Sequence, residues 1–144
     1  MEVSRATKGE LPEVLALLRR CELLENGVAE AIESFWVVRT EALVGCAGLE
    51  AYGPVGLLRS VAVAASLRRM RVGTTLVDRV VTTAQTRGLR QLFLLTTTAP
   101  DFFRRRGFHP VERGAVPAPI AESWEFRVGC PQTAVAMRLD LKEP

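Results

Sequence analysis

LLRSVAVAASLRRMRVGTTLVDRVVTTAQTRGLRQLFLL, residues 57–95, changes its hydrophobic period twice. Gly56–Val63 is apolar enough for a strand. Beyond a basic junction, Val72, Leu76, Val80 and Ala84 recur every four residues, with Val77 and Val81 beside them. Asp78, Arg79, Thr82, Thr83 and Gln85 fall on other faces, which predicts an amphipathic helix of about four turns. Gly88 follows Arg87 as its expected stop. Leu92-Phe93-Leu94-Leu95 is a short continuous apolar run, as in a strand buried on both faces. The order is strand, loop, helix, strand, and such a crossover makes the two strands parallel.

Working outward, Val3–Ala6 reads as a short strand. Thr7 with Glu10 forms a capping-box pattern, Pro12 suits a first turn, and Leu11, Val14, Leu15, Leu17 and Leu18 form a helical stripe. Asn26-Gly27 breaks the chain, and Val28–Phe35 is predicted as a second short helix. Trp36–Arg39 and Ala42–Glu50 read as strands joined at Thr40-Glu41, with a further turn at Tyr52-Gly53-Pro54. Toward the C-terminus, Ala99–Arg106 is expected as a helix ended by Gly107, and Phe108–Val111 as a strand. Residues 114–123 suggest an irregular connection or a helical turn, and Ala134–Leu141 a last strand. No repeat, linker or boundary interrupts this order, so residues 1–144 are expected to form one domain.

Hydrophobic residues make up 48% and charged residues 24% of the 144, a globular composition. No apolar stretch approaches the ~18 residues of a membrane span, and MEVSRATKGE has no apolar core of a secretory signal. A cytoplasmic protein without a membrane partner is expected. Cys21, Cys46 and Cys130 form no CxxC pair, so neither a metal site nor a disulfide framework is indicated, and free thiols are the reading. The net charge of +3 gathers its arginines at 68–71 and 104–106. Two short clusters suit an anionic small molecule better than a nucleic-acid track.

The junction SLRRMRVG, residues 66–73, leads a strand into a helix N-terminus, where unpaired amides and the helix dipole bind phosphate. The stretch 57–77 resembles the GNAT N-acetyltransferases, in which a Val-rich strand enters an R/Q-x-x-G-x-G/A loop holding the pyrophosphate of acetyl-CoA. A second signature of that family, A-x-x-F-[YF]-x-x-x-G-F, stands here as Ala99, Phe102, Phe103, Gly107 and Phe108. A narrower likeness, in GLExYG (48–53), LLRSVAV (57–63), LLTTTA (94–99), EF (125–126) and CP (130–131), is to a bacterial branch of arsenic-resistance N-acetyltransferases. Those enzymes are thought to acetylate small amino-acid-like compounds.

The resemblance implies a mixed, mostly antiparallel sheet with flanking helices, splayed where acetyl-CoA enters between the parallel strands at 57–63 and 91–96. It implies backbone N–H donors for the acetyl carbonyl and pantetheine at Val61 and Val63. It also implies cofactor contacts at Arg68, Arg69, Arg71, Val72, Gly73, Thr74 and Phe103. Arg71 replaces the middle glycine, so a left-handed conformation there would strain it by about 1–2 kcal/mol. The arginines then either add charge-assisted contacts to the phosphate or fill the groove.

Acetyl transfer needs a deprotonated amine, oxyanion stabilisation and a proton for the thiolate. Many relatives place a tyrosine donor where this chain has Phe103, so Tyr52, the one tyrosine, or water is left for that task. Glu50, at the end of an apolar strand, is the candidate base or the partner of the acceptor's ammonium. Arg59 sits in an apolar strand and needs a partner. It reads as a clamp for an acceptor carboxylate or as a structural pair with Glu50 or Glu125. Thr97, leaving the strand at 92–95, is a further acceptor contact; His109 reads as an exposed loop residue. The expected protein is an acetyl-CoA-dependent N-acetyltransferase acting on a primary amine of a small molecule, an amino-acid-like arsenical or related toxin among them. Its mechanism is direct attack in a ternary complex, and the resemblance implies a homodimer. The alternative is a GNAT-fold module that binds CoA or another anion without catalysis.

Overall fold

The computed structural model describes residues 2–68, 70–129 and 133–142. Arg69 and Cys130, both singled out above, lie outside them. The elements run β1 (Val3–Arg5), α1 (Leu11–Arg20), α2 (Val28–Ala31), β2 (Phe35–Arg39), β3 (Leu43–Tyr52), β4 (Val55–Val63), α3 (Val72–Thr86), β5 (Gln91–Thr96), α4 (Pro100–Arg105), β6 (His109–Pro110), α5 (Ala118–Ala121) and β7 (Val135–Asp140). The seven strands form one sheet in the order β1-β2-β3-β4-β5-β7-β6. β1–β2, β2–β3, β5–β7 and β6–β7 pair antiparallel. β4 pairs with β5 in parallel, in register from Val55↔Gln91 to Leu57↔Phe93, and then continues to Val63. This is the mixed, mostly antiparallel α/β sheet that the periodicity and the resemblance imply.

The chain gathers into two compact units, Met1–Glu50 with Leu58–Thr82 and Ala51–Leu57 with Thr83–Pro144. In the first, the Thr7 N–H donates to Glu10 Oε1 at 2.9 Å and starts the helical entry to α1. α1 then buries Val14, Leu17 and Leu18 against Val28, Ile32, Phe35, Val37, Leu43, Cys46 and Ala62. The second helix is shorter than expected. α2 stops at Ala31, a 3-10 turn covers Ile32–Ser34, and Phe35 is already extended. The reason is packing: Phe35 is fully buried and pairs with Gly48, where a Cβ would stand 2.6 Å from its ring. Gly45 is likewise required, since a Cβ there would lie 2.7 Å from Val72 and 2.9 Å from Leu76. Val72, Leu76, Val80 and Ala84 are all buried, as the four-residue spacing predicts.

In the second unit, Val55, Leu57, Phe93, Val116, Ile120, Phe126 and Ala136 form one cluster. Leu92, Phe93 and Leu94 of β5 are at most 2% exposed, which is the signature of burial on both faces. The helix expected at 99–106 is α4, closed by Gly107 at φ +98°. Residues 114–123 contain a 3-10 turn over Arg113–Ala115 and then α5, and a π-helical turn follows over Glu125–Gly129. The sequence reading did not foresee that turn, which has no hydrophobic period of its own.

Arg39, the last residue of β2, fastens that strand to the start of α1 within the first unit. Its guanidinium donates to Glu13 at 2.6 and 3.0 Å and to Glu10 at 3.0 Å. The bonds from Arg39 hold the Glu13 carboxyl below the usual carboxylate range, against a small opposing effect of burial. Burial would raise the Glu10 carboxyl, but the Thr7 N–H and Arg39 outweigh it and hold it low as well. A carboxyl lowered in the fold adds stability above its ordinary value of about 4.3, and that stability is lost as pH falls through the folded value. Thermal unfolding of the wild type and Arg39→Met at pH 7 and pH 3 checks this. The two melting temperatures are expected to differ at pH 7 and to converge at pH 3; a gap unchanged by pH contradicts it.

Candidate functional site

A guanidinium inside a sheet must find acceptors, because an uncompensated buried charge is costly. Arg59 of β4 is 7% exposed. Its Nη1 donates to Glu50 Oε2 at 2.7 Å, its Nη2 to the Asn26 carbonyl at 2.6 Å, and its Nε to Ser60 Oγ at 3.0 Å. One side chain thus ties β3, the α1–α2 connection and β4. The connection approaches closely through Gly27, at φ +79°, where a Cβ would stand 3.1 Å from Arg59 Nη1. The expected pairing of Arg59 with Glu50 is present. Glu50 is half-buried and lies within β3, which runs on to Tyr52.

Ser60 has φ +59°, a left-handed residue inside a strand. Such a residue takes the chain out of the pleat, as in a β-bulge, and re-aims the flanking peptides. Cys46, fully buried in β3, donates its thiol to the Ser60 carbonyl at 3.3 Å. Burial pushes that thiol up to about 12, with the neighbouring Cys21 adding to the rise and the Ala62 N–H opposing it. Val61 and Val63, half-buried, follow directly.

Beyond β4, the Ala64 N–H donates to the Val44 carbonyl at 2.8 Å, and a 3-10 turn covers Ala65–Leu67. Arg68 folds back, donating to the Val63 carbonyl at 3.2 Å and toward Cys21 Sγ at 3.7 Å. Arg71 has φ +64°, so the position does adopt the conformation that glycine favours. Its carbonyl accepts the Thr75 N–H at 3.0 Å and Thr75 Oγ1 at 2.9 Å, which makes Arg71 the residue before the first turn of α3. By helix geometry the amides of Val72, Gly73 and Thr74 have no intrahelical acceptor. Three helix amides beside the exposed Arg68 and Arg71 form an arrangement that favours an anion.

The second unit holds the remaining expected residues. Phe103 is 7% exposed and packs edge-to-face on Phe102 and Phe108, with ring centroids 5.1 and 5.8 Å apart, so its ring serves the core. Thr97 is exposed, and so is His109, as expected. Tyr52 is half-buried against the Phe93 cluster. Asn26, Gly27, Cys46 and Ser60 were missed as site residues. Asn26 acts through its carbonyl and Ser60 through its backbone, which no residue type announces. The demand of Arg59 for partners was the one available signal. Among the described residues no three His, Cys, Asp or Glu side chains gather as for a metal ion, and no helix is long and apolar enough to cross a membrane.

Comparison with known proteins gives a consistent picture. Residues 31–110 match the model of the acetyltransferase (GNAT) domain. The chain is 36% identical over 121 residues to the amino-acid acetyltransferase of Pseudomonas fluorescens strain Pf0-1, covering 81% of this chain and 27% of that protein. It is 29% identical over 136 residues to the amino-acid acetyltransferase of Enterobacter sp. strain 638, covering 88% and 31%. The chain therefore spans between a quarter and a third of the length of these relatives. The crystal structure of Rv2747 from Mycobacterium tuberculosis in complex with CoA and NLQ superposes with a TM-score of 0.86 at 27% identity, over 99% of this chain and 100% of that one. N-acetylglutamate synthase from Neisseria gonorrhoeae, complexed with coenzyme A and N-acetyl-glutamate, gives the same TM-score of 0.86 over 99% of this chain and 35% of that one. At 20% identity it speaks for the fold alone.

The left-handed Arg71 has a measurable consequence. Chemical denaturation of Arg71→Gly and Arg71→Ala is expected to find the glycine variant more stable by about 1 kcal/mol, although alanine is the better residue in ordinary backbone. An alanine variant at least as stable as the glycine variant contradicts the left-handed backbone.

Proposed function

The chain belongs to the GNAT acetyltransferase family, and from that premise we propose that it moves the acetyl group of acetyl-CoA onto the α-amine of an amino acid or a small amino-acid-like compound. The observation that carries this reading is the pairing, within one compact unit, of Glu50 and Arg59 at 2.7 Å with the strand–loop–helix junction at 60–74. Names of relatives support the acceptor class, because the two relatives described above are amino-acid acetyltransferases. An amino-acid-like arsenical carries the same α-amine and α-carboxylate. The likeness to the arsenic-resistance branch therefore makes it a second acceptor of the same class.

In this reading the helix amides of Val72, Gly73 and Thr74, with Arg68, Arg69 and Arg71, hold the pyrophosphate. The Val61 N–H faces the acetyl carbonyl and Val63 the pantetheine. Glu50 binds the acceptor's ammonium and takes its proton, directly or through water. Three nitrogens of Arg59 already donate to protein acceptors, so we assign it to holding Glu50 rather than to gripping the acceptor. The amine attacks the acetyl carbonyl, a C–N bond forms, the C–S bond breaks, and the thiolate takes a proton from Tyr52 or water. The attack is direct, with no acetyl-cysteine intermediate on Cys46. Cys46 is fully buried and its thiol is pushed up to about 12, the opposite of an activated nucleophile.

Turnover of acetyl-CoA against free amino acids, the amino-acid-like arsenical, N-blocked amino acids and a lysine-containing peptide tests this. Acetylation is expected only with free α-amines, and Glu50→Gln is expected to lower kcat/KM about 10²–10³-fold. Tyr52→Phe separates the phenol from water as the proton source. Acetyl-CoA binding with no turnover on any amine overturns the enzymatic reading in favour of the binding module.

A further inference from the structure

We propose that Cys46 is a positioning residue for acetyl transfer: its thiol holds the Ser60–Val61 peptide group and so aims the Val61 N–H. The proposal rests on the role given above to that N–H. A left-handed residue in a strand turns the adjoining peptides out of the ladder, and their polar groups then need other partners. Ser60 at φ +59° is such a residue. The Cys46 sulfur donates to the Ser60 carbonyl at 3.3 Å and so gives the turned-out carbonyl its partner.

The geometry of the peptide unit supplies the rest. The Ser60 carbonyl and the Val61 N–H belong to one planar trans peptide and point in opposite directions. Fixing the carbonyl toward β3 therefore fixes the Val61 N–H away from β3. The Arg59 bond to Ser60 Oγ, at 3.0 Å, restrains the side chain of the same residue. Sulfur suits the task because Cys46 is fully buried and keeps its proton, so the donor persists across the working pH range. A positioning role also accounts for a polar-capable side chain in a run of β3, Leu43–Leu49, that is otherwise apolar and buried.

Two variants separate hydrogen bonding from packing. Cys46→Val keeps the approximate volume and removes donor and acceptor; Cys46→Ser keeps both. With acetyl-CoA and L-glutamate, Cys46→Val is expected to lose about tenfold in kcat with KM for acetyl-CoA changed less than twofold. Cys46→Ser is expected to stay within about threefold of wild type. The Val61 amide resonance, which needs no substrate, is read alongside. It is expected to shift in Cys46→Val and to stay at the wild-type position in Cys46→Ser. An unmoved Val61 resonance in Cys46→Val overturns the grip, whether or not the wild type turns over. A shifted resonance with kcat intact overturns the catalytic role and leaves only the backbone grip. Equal losses in both variants, tracking their melting temperatures, overturn the proposal in favour of packing.

Discussion

A buried guanidinium organises the first compact unit. Arg59 is taken out of water inside β4, and its bonds to Glu50 and Asn26 draw in two other segments. Glu50 supplies the charge that makes the burial tolerable, Asn26 a carbonyl, and Ser60 a hydroxyl beside the strand's left-handed kink. Gly27 exists in its conformation because the backbone must pass within reach of the guanidinium. Breaking a buried ion pair by removing one partner costs about 3–5 kcal/mol, more than most single contacts contribute. The acidic group proposed to meet the acceptor is therefore the group the fold needs to neutralise Arg59. Chemistry and stability are coupled at one pair of side chains.

The crossover at 57–95 was legible because it depends on periods. Val72, Leu76, Val80 and Ala84 space themselves for one helix face, and all are buried; Leu92–Leu94 form a run that only a doubly covered strand tolerates. The Thr7–Glu10 box was legible because it is local. The site was less so. Arg59 announced a need for partners without saying which. Ser60 carries a conformation that its residue type does not signal, and Asn26 contributes through its main chain. The Cys46–Ser60 contact joins positions 14 apart in sequence and depends on the β3–β4 hairpin being formed. The early end of α2 was hidden for a related reason. Phe35 is claimed by Gly48 across the sheet, and tertiary packing overrides a helical period.

The proposed phosphate-binding end raises a separate physical question. Arg71 holds a left-handed backbone that glycine would hold at no strain, at about 1–2 kcal/mol. The arginine is retained at the N-terminus of α3, where the helix amides already favour an anion. A strained cation at an anion site is understandable if its charge contributes more to the bound state than the strain takes from the free one. On this account the loop is a cradle in which charge has replaced backbone freedom.

Thermal unfolding with acetyl-CoA, repeated with desulfo-CoA and with ATP, tests that account most directly. A ligand at about 100 times its Kd adds roughly 2.7 kcal/mol to stability. The account predicts a clear upward shift with acetyl-CoA and desulfo-CoA and none with ATP. No shift with either CoA compound would mean that the arginines close the junction, and acetyl transfer by this chain would be contradicted.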